Sequence, residues 1–91
     1  MDLDQIEEHR KAIDEIDIEL LRLLNARASH ALKIGQVKAA HNQPIYVPER
    51  EKLVLQRLQS VNPGPLAGEA VERIFKTVIL ETRTLEDTHT P

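Results

Sequence analysis

The sequence predicts an all-α protein with three helices, one very long and two shorter. Two observations support this prediction. Apolar residues recur at three- and four-residue intervals through most of the 91 residues, which is the spacing of one helix face. The three glycines and five prolines are few and lie mostly in two short polar breaks, so long segments without strong helix breakers remain between the breaks.

The first predicted helix covers about residues 4–40 and contains no proline. Its apolar stripe runs from Ile6 through Leu20 to Val37, and Gly35 is its only weak helix former. The polar break that follows ends in Pro44, which biases the residue before it away from the helical conformation.

The second predicted helix covers 48–61, with Pro48 in its first turn and acidic residues near its positive end. It stops at the segment N-P-G-P, and the third helix covers about 66–86. We expect residues 87–91 to form a frayed tail or the start of a linker. The whole chain, 1–91, is predicted to be one domain.

The length of the first helix predicts a dimer. A helix of about 37 residues extends roughly 55 Å, whereas a compact chain of 91 residues has a diameter of only about 30 Å. The first helix would therefore protrude, and its apolar stripe would need cover from another chain. We predict an intertwined helical homodimer in which the two long helices pack along each other.

The composition excludes several classes of protein. Without cysteine there is no disulfide, thiolate nucleophile or cysteine-based zinc site. The four histidines are scattered without metal-ligand spacing, and no glycine-rich phosphate loop is present, so no metal or cofactor is expected. A net charge of −3 argues against nucleic-acid binding. With no apolar leader or membrane-length segment, we expect a cytoplasmic protein.

Polar side chains fall on or beside the apolar stripes of all three helices. They are Arg10, Arg27, Lys38, Arg50, Glu51, Thr82 and Glu86. Any one of these cations alone is more often a side chain whose stem packs while its charged head reaches water. Together, four cations against two carboxylates leave a positive surplus, which would suit a small dianion held by bidentate arginine contacts.

At these residues the chain resembles the all-helical chorismate mutases, over roughly residues 6–86. The first motif is R-K-x-I-D-x-I-D-x-E-L-L-x-L-L-x-x-R, from Arg10 to Arg27. It is followed by I-G-Q-V-K ending at Lys38, P-E-R-E at 48–51 and the stretch 73–86. The N-P-G-P-L segment further resembles the mutase domain fused ahead of prephenate dehydratase. A stand-alone enzyme and a domain of such a fusion both remain open.

The resemblance implies the rearrangement of chorismate to prephenate by an intertwined homodimer, without metal or cofactor. It implies that Arg10 reaches across from the partner to bind one substrate carboxylate and that Arg27 holds the other. Thr82 stands where a serine is often found and keeps a hydroxyl for carboxylate binding. Arg50 would support the charge network around the substrate.

The resemblance also implies which groups serve the reacting atoms. Lys38 would donate a hydrogen bond to the ether oxygen of the breaking bond, and Glu86 would face that oxygen from the opposite side. Because an ionised carboxylate cannot donate, Glu86 must be protonated in the productive complex. Glu51 would accept from the substrate hydroxyl. Val47 departs from the aspartate that assists there in some members, which places more of this contact on Glu51 or on the backbone.

Two other functions remain open from the sequence. Isochorismate pyruvate lyase shares this fold and a similar site, although it carries glutamine where Glu86 stands. A non-catalytic helical dimer acting as a regulatory module is a second alternative. Such a module would be expected to have lost the cationic cluster, which is present in this sequence.

Overall fold

The computed structural model describes residues 2–89, and this range forms three α-helices with no strand. Helix α1 spans Leu3–Ala40, α2 spans Pro48–Val61 and α3 spans Gly68–His89. The prediction of one very long and two shorter helices is confirmed. None of the helices in the described range combines the length and the hydropathy that a bilayer-crossing helix requires.

Helix α1 is a single element of 38 residues that begins with a capping box. The Asp2 carboxylate accepts a hydrogen bond from the backbone amide of Gln5, and the Gln5 side chain accepts one from the backbone amide of Asp2. Two backbone donors that the helix itself leaves unpaired are satisfied in this way. Helix α2 begins at Pro48. Proline is tolerated in the first turn of a helix because the backbone N–H that it lacks would have no partner within the helix there.

Helix α3 differs from its predicted bounds at both ends. It starts two residues later than expected because Asn62 organises the preceding turn: its side chain donates to the Leu66 carbonyl over 2.8 Å and accepts from the Gly64 amide over 3.0 Å. At the other end the expected fraying of residues 87–89 is wrong. The helix continues to His89. In its last turn Thr88 Oγ1 donates to the Leu85 carbonyl oxygen over 3.1 Å, and His89 Nδ1 lies 3.0 Å from the same oxygen. Residues 90–91 of the expected tail lie outside the described residues.

Helix α3 is the centre of the fold. It packs against both α1 and α2, whereas within the described residues α1 and α2 do not pack against each other. The two buried apolar side chains of the described range, Val71 and Ile79, both belong to α3, and Gly35 is the buried residue of α1. The protein therefore has a narrow core along one face of α3.

Most of α1 protrudes from this core. The molecule measures 58 × 24 × 15 Å, and every residue from 7 to 26 is exposed. The exposed residues include the large apolar side chains of the predicted stripe, with Ile16 at 57% and Leu20 at 51% of full exposure. A continuous apolar surface of this length is typical of a face that packs against another chain.

Candidate active site

A cleft of about 480 Å³ opens where the second half of α1, the start of α2 and the end of α3 come together. All but one of the polar residues singled out from the sequence line it. These residues are Arg27, Lys38, Arg50, Glu51, Thr82 and Glu86. Ile34, Val54 and Ile79 add apolar walls. A concave site with apolar walls and a few convergent polar groups is the usual form of a small-molecule site.

Arg27 and Thr82 join α1 to α3 inside the cleft. Arg27 Nη1 donates to Thr82 Oγ1 over 2.9 Å, and both residues are half-buried. Thr82 Oγ1 also lies 3.0 Å from the carbonyl oxygens of Val78 and Ile79. Since a hydroxyl has one hydrogen and two lone pairs, Thr82 donates to its own helix and accepts from Arg27.

Lys38 lies three helical turns beyond Arg27 on the same face of α1. Its Nζ donates to the carbonyl oxygen of Ile45 over 3.4 Å, which ties the α1–α2 connection to α1. An ammonium carries three donors, so this bond leaves Lys38 capacity for further acceptors. Ile45 and Val47 of the same connection also line the cleft.

Glu86 has a pKa above its ordinary value of 4.5. Burial is the largest cause, because it disfavours the charged form of the carboxyl. The positive charges of Lys38 and Arg27 lower the pKa of Glu86 and so oppose this effect, while the neighbouring negative charge of Asp87 raises it. The net effect widens the pH range in which the carboxyl is protonated and can donate a hydrogen bond.

The sequence did not single out Arg83, yet it lines the cleft and binds a predicted site residue. Arg83 Nη1 lies 2.8 Å from Glu51 Oε2, and the Arg83 guanidinium carbon lies 4.1 Å from the centre of the Tyr46 ring. One pattern could have identified it: Arg83 follows Ile79 by four residues, which puts it on the core-facing stripe of α3. His30 is exposed and also lines the cleft.

Arg10 is the predicted site residue that the fold does not bring to this cleft. Its side chain is 68% exposed and forms an ion pair with Glu7 over 2.8 Å. Along α1, the rise of about 1.5 Å per residue separates Arg10 from Arg27 by roughly 25 Å. Within one chain, Arg10 therefore cannot reach a ligand held by Arg27.

The cleft carries a positive surplus. Four cationic side chains line it, against the two carboxyl groups of Glu51 and Glu86. The cations are Arg27, Lys38, Arg50 and Arg83. Protonation of Glu86 increases this surplus, so the cleft is suited to a ligand with two negative charges. Residues 2–89 contain no group of three or more histidine, aspartate or glutamate side chains placed to hold a metal ion.

The three-helix fold and the cationic cleft together define an all-helical protein whose cleft is suited to a small dianion. The chain belongs to the chorismate mutase type II family, whose sequence model matches residues 9–87. The resemblance found in the sequence is thereby confirmed.

Several similar curated proteins are named as chorismate mutases, alone or as part of a bifunctional protein. A bifunctional chorismate mutase/prephenate dehydratase of Neisseria gonorrhoeae is 51% identical over 78 residues, which are 86% of this chain and 21% of that protein. The corresponding protein of Aquifex aeolicus is 40% identical, and the match covers 92% of this chain and 24% of that protein. The chain thus spans about a quarter or less of the length of these bifunctional relatives. A chorismate mutase of Methanocaldococcus jannaschii is 32% identical over 92% of this chain and 86% of its own.

Solved structures agree with the fold. Chorismate mutase (form II) of Thermus thermophilus superposes with a TM-score of 0.92 at 32% identity, covering 96% of this chain and 99% of that one. Chorismate mutase of Helicobacter pylori, solved in complex with prephenate, superposes with a TM-score of 0.87 at 34% identity, covering 94% and 93% of the two chains.

Proposed function

We propose that this chain catalyses the rearrangement of chorismate to prephenate, the precursor of phenylalanine and tyrosine. The observation that carries the proposal is the convergence of Arg27, Lys38, Thr82 and Glu86 in one cleft lined by more cations than carboxylates. Chorismate is a dicarboxylate, so its two charges match the surplus. Membership of the chorismate mutase type II family supports the same activity.

The reaction breaks a carbon–oxygen bond and forms a carbon–carbon bond within one molecule, through a chair-like transition state. Neither a nucleophile nor a cofactor takes part. The protein has to hold the folded conformer of the substrate and stabilise the negative charge that develops on the ether oxygen. In our proposal Lys38 and protonated Glu86 donate to this oxygen from two sides, and the raised pKa of Glu86 supports that role.

The remaining cleft residues bind the parts of the substrate that do not react. Arg27, oriented by Thr82, holds one carboxylate as a bidentate donor. Glu51 accepts from the substrate hydroxyl, and Arg50 adds positive charge at the start of α2. Since Val47 has no carboxylate to share this contact, more of it falls on Glu51 or on the backbone, and Glu51 lines the cleft.

We further propose that the active unit is an intertwined homodimer. The exposed apolar stripe of α1 supports it, because a second α1 packed along the first would cover Ile16 and Leu20. Antiparallel packing of the two long helices would also bring Arg10 of one protomer towards the cleft of the other, where it would bind the second carboxylate. Sedimentation equilibrium tests the proposal: we expect a dimer for the wild type and a shift to monomer for Leu20→Glu. A cytoplasmic location stays a prediction.

The activity is tested by the loss of chorismate ultraviolet absorbance on addition of the purified chain. We expect a rate far above the uncatalysed one, and a fall in kcat/KM of at least about 100-fold for Arg27→Ala, which leaves a substrate carboxylate without its partner. Isochorismate is supplied in parallel. Formation of salicylate and pyruvate without turnover of chorismate would establish the lyase instead. No turnover of either substrate, with Arg27→Ala indistinguishable from the wild type, would establish a non-catalytic dimer.

A further inference from the structure

We propose that Arg83 is a positioning residue that holds Glu51 for the substrate hydroxyl and fixes Tyr46 beside the cleft. The inference deepens the proposed function and rests on it. Arg83 itself is not expected to contact the substrate, although it is one of the four cations that line the cleft.

The contacts of Arg83 connect three parts of the fold. The residue belongs to α3, its ion pair with Glu51 reaches α2, and its stacking on Tyr46 reaches the α1–α2 connection. Arg83 and Glu51 are 32 positions apart in the chain, and their side chains are only 26% and 27% exposed. Partial burial reduces screening by water, so this pair is held more firmly than an exposed surface pair.

The geometry of the pair leaves half of the Glu51 carboxylate for a ligand. Arg83 Nη1 bonds to Glu51 Oε2. The hydrogen bond from Arg83 ends on Oε2 and not on Oε1. A carboxylate oxygen is an acceptor only. The two oxygens belong to one planar carboxylate, so the bond that holds Oε2 also restricts where Oε1 can lie. We infer that Oε1 is the oxygen that accepts from the substrate hydroxyl.

Charge balance separates Arg83 from the cations that bind substrate carboxylates. Its charge is compensated by Glu51 at 2.8 Å, and its face is occupied by the Tyr46 ring. Arg27, by contrast, donates to a neutral hydroxyl and keeps its charge available for an anion. The pair of Arg83 and Glu51 therefore positions an acceptor in the cleft without adding net charge. The net positive charge of the cleft comes from the other cations that line it.

This role predicts a specific kinetic pattern. The substrate hydroxyl does not react, so a contact to it stabilises the bound substrate and the transition state alike. Loss of that contact raises KM more than it lowers kcat. For Arg83→Ala we expect KM to rise about tenfold and kcat to change by less than about threefold, because Glu51 keeps its charge but loses its direction. Arg83→Lys keeps the positive charge without the planar guanidinium, and we expect its KM to lie between those of the wild type and Arg83→Ala.

A double-mutant cycle tests whether Arg83 acts through Glu51. The wild type, Arg83→Ala, Glu51→Ala and the double variant are assayed for chorismate turnover as homogeneous dimers. If Arg83 acts only through Glu51, Arg83→Ala changes KM by less than about twofold in the Glu51→Ala background. Lys76→Ala is the matched control, since it removes an exposed α3 ion pair, Lys76 with Glu72, that lies outside the cleft. We expect wild-type kinetics from it.

Two results would overturn the inference while leaving the proposed function intact. One is an undiminished effect of Arg83→Ala in the Glu51→Ala background, which would mean that Arg83 binds a substrate carboxylate directly. The other is a KM equal to that of the wild type in an Arg83→Ala protein that still forms the dimer. If Arg83→Ala unfolds below the assay temperature in a circular dichroism melt, Arg83→Lys replaces it in the same cycle. No turnover by the wild type would overturn both proposals.

Discussion

Arg27 Nη1 donates to Thr82 Oγ1 over 2.9 Å, across 55 positions of the chain. The hydroxyl hydrogen of Thr82 is directed to its own helix, where the carbonyl oxygens of Val78 and Ile79 each lie 3.0 Å away. Its lone pairs therefore face Arg27, and the guanidinium is held against α3 before any ligand arrives. Preorganisation of this kind lowers the cost of binding, because the arginine side chain is already ordered.

Thr82→Val removes the acceptor while keeping the shape of the side chain. We expect KM for chorismate to rise about tenfold, since the half-buried Arg27 loses the partner that orients it. Thr82→Ser restores a hydroxyl and should stay within about threefold of the wild type. Steady-state kinetics across a range of chorismate concentrations measures both effects.

Thr84→Val is the matched control for this pair of variants. Thr84 is on the same helix and its Oγ1 also donates to a backbone carbonyl four residues earlier, that of Leu80, over 2.9 Å. It is exposed and does not line the cleft. Equal losses in Thr82→Val and Thr84→Val would attribute the effect to the helix and contradict an orienting role for Thr82.

The raised pKa of Glu86 predicts that activity declines as the pH increases. The protonated acid is the form that donates to the ether oxygen, and burial extends its range above the ordinary value of 4.5. As the pH rises through the raised pKa, the proton is lost and kcat/KM falls. Glu86→Gln cannot lose a proton in this range, so its profile should be flat. The measurement is kcat/KM from pH 4 to pH 9 for both proteins.

Asp87→Asn provides an internal check on this assignment. The negative charge of Asp87 raises the pKa of Glu86, so its removal should move the decline in activity to lower pH without abolishing it. Asp87 does not line the cleft. A wild-type profile that is flat and unchanged by Glu86→Gln would exclude Glu86 as the donor.

Much of the fold could be predicted from local features of the sequence. The three- and four-residue spacing of apolar side chains, interrupted near Pro44 and Pro63, was sufficient for three helices and for the length of α1. The end of α3 was not predicted, since its last turn contains Thr88 and His89, which contact the Leu85 carbonyl, and these polar residues carry no periodicity. Near the end of a helix, polar side chains can bond to the last backbone carbonyls, and the apolar spacing does not record such bonds.

The candidate site, like the fold, could be predicted only in part from the sequence. Spacing along a single helix was enough to align Arg27 with Lys38 on one face of α1. The partnership of Arg83 with Glu51 depends on how α3 lies against α2, and no spacing within one helix contains that information. The sequence therefore supplied the faces of the helices, and only the packed fold brought Arg83 among the cleft residues.

Ile79 is a core residue of α3 that also forms a wall of the cleft, so its truncation should affect stability. Ile79 is only 8% exposed, and Ile79→Ala should lower the free energy of unfolding by about 2–4 kcal/mol because it leaves a cavity. Val61 is 67% exposed, and Val61→Ala should change the free energy of unfolding by less than about 0.5 kcal/mol. Urea unfolding at one fixed protein concentration measures both, since the stability of a dimer depends on concentration. Equal losses in the two variants would contradict the narrow core described above.

The role proposed for Arg10 across the dimer interface predicts that two inactive variants complement each other. Arg10→Ala and Arg27→Ala homodimers each carry a defect in both sites. In a mixed dimer, the cleft that retains Arg27 receives an intact Arg10 from its partner, while the other cleft carries both defects. Random exchange of equal amounts makes about half of the dimers mixed, so activity should recover to about a quarter of the wild type.

A mixture of Arg27→Ala with Lys38→Ala is the control for this complementation. Both residues lie in the cleft of one protomer. Arg27 Nη1 lies 2.9 Å from Thr82 Oγ1, and Lys38 Nζ lies 3.4 Å from the Ile45 carbonyl oxygen. If both act within their own protomer, each cleft of a mixed dimer keeps one defect and activity does not recover. Arg10 lies roughly 25 Å along α1 from Arg27, so it can serve this site only from the partner. A mixture of Arg10→Ala and Arg27→Ala that is no more active than the mean of its parents would refute the exchange of Arg10 between protomers.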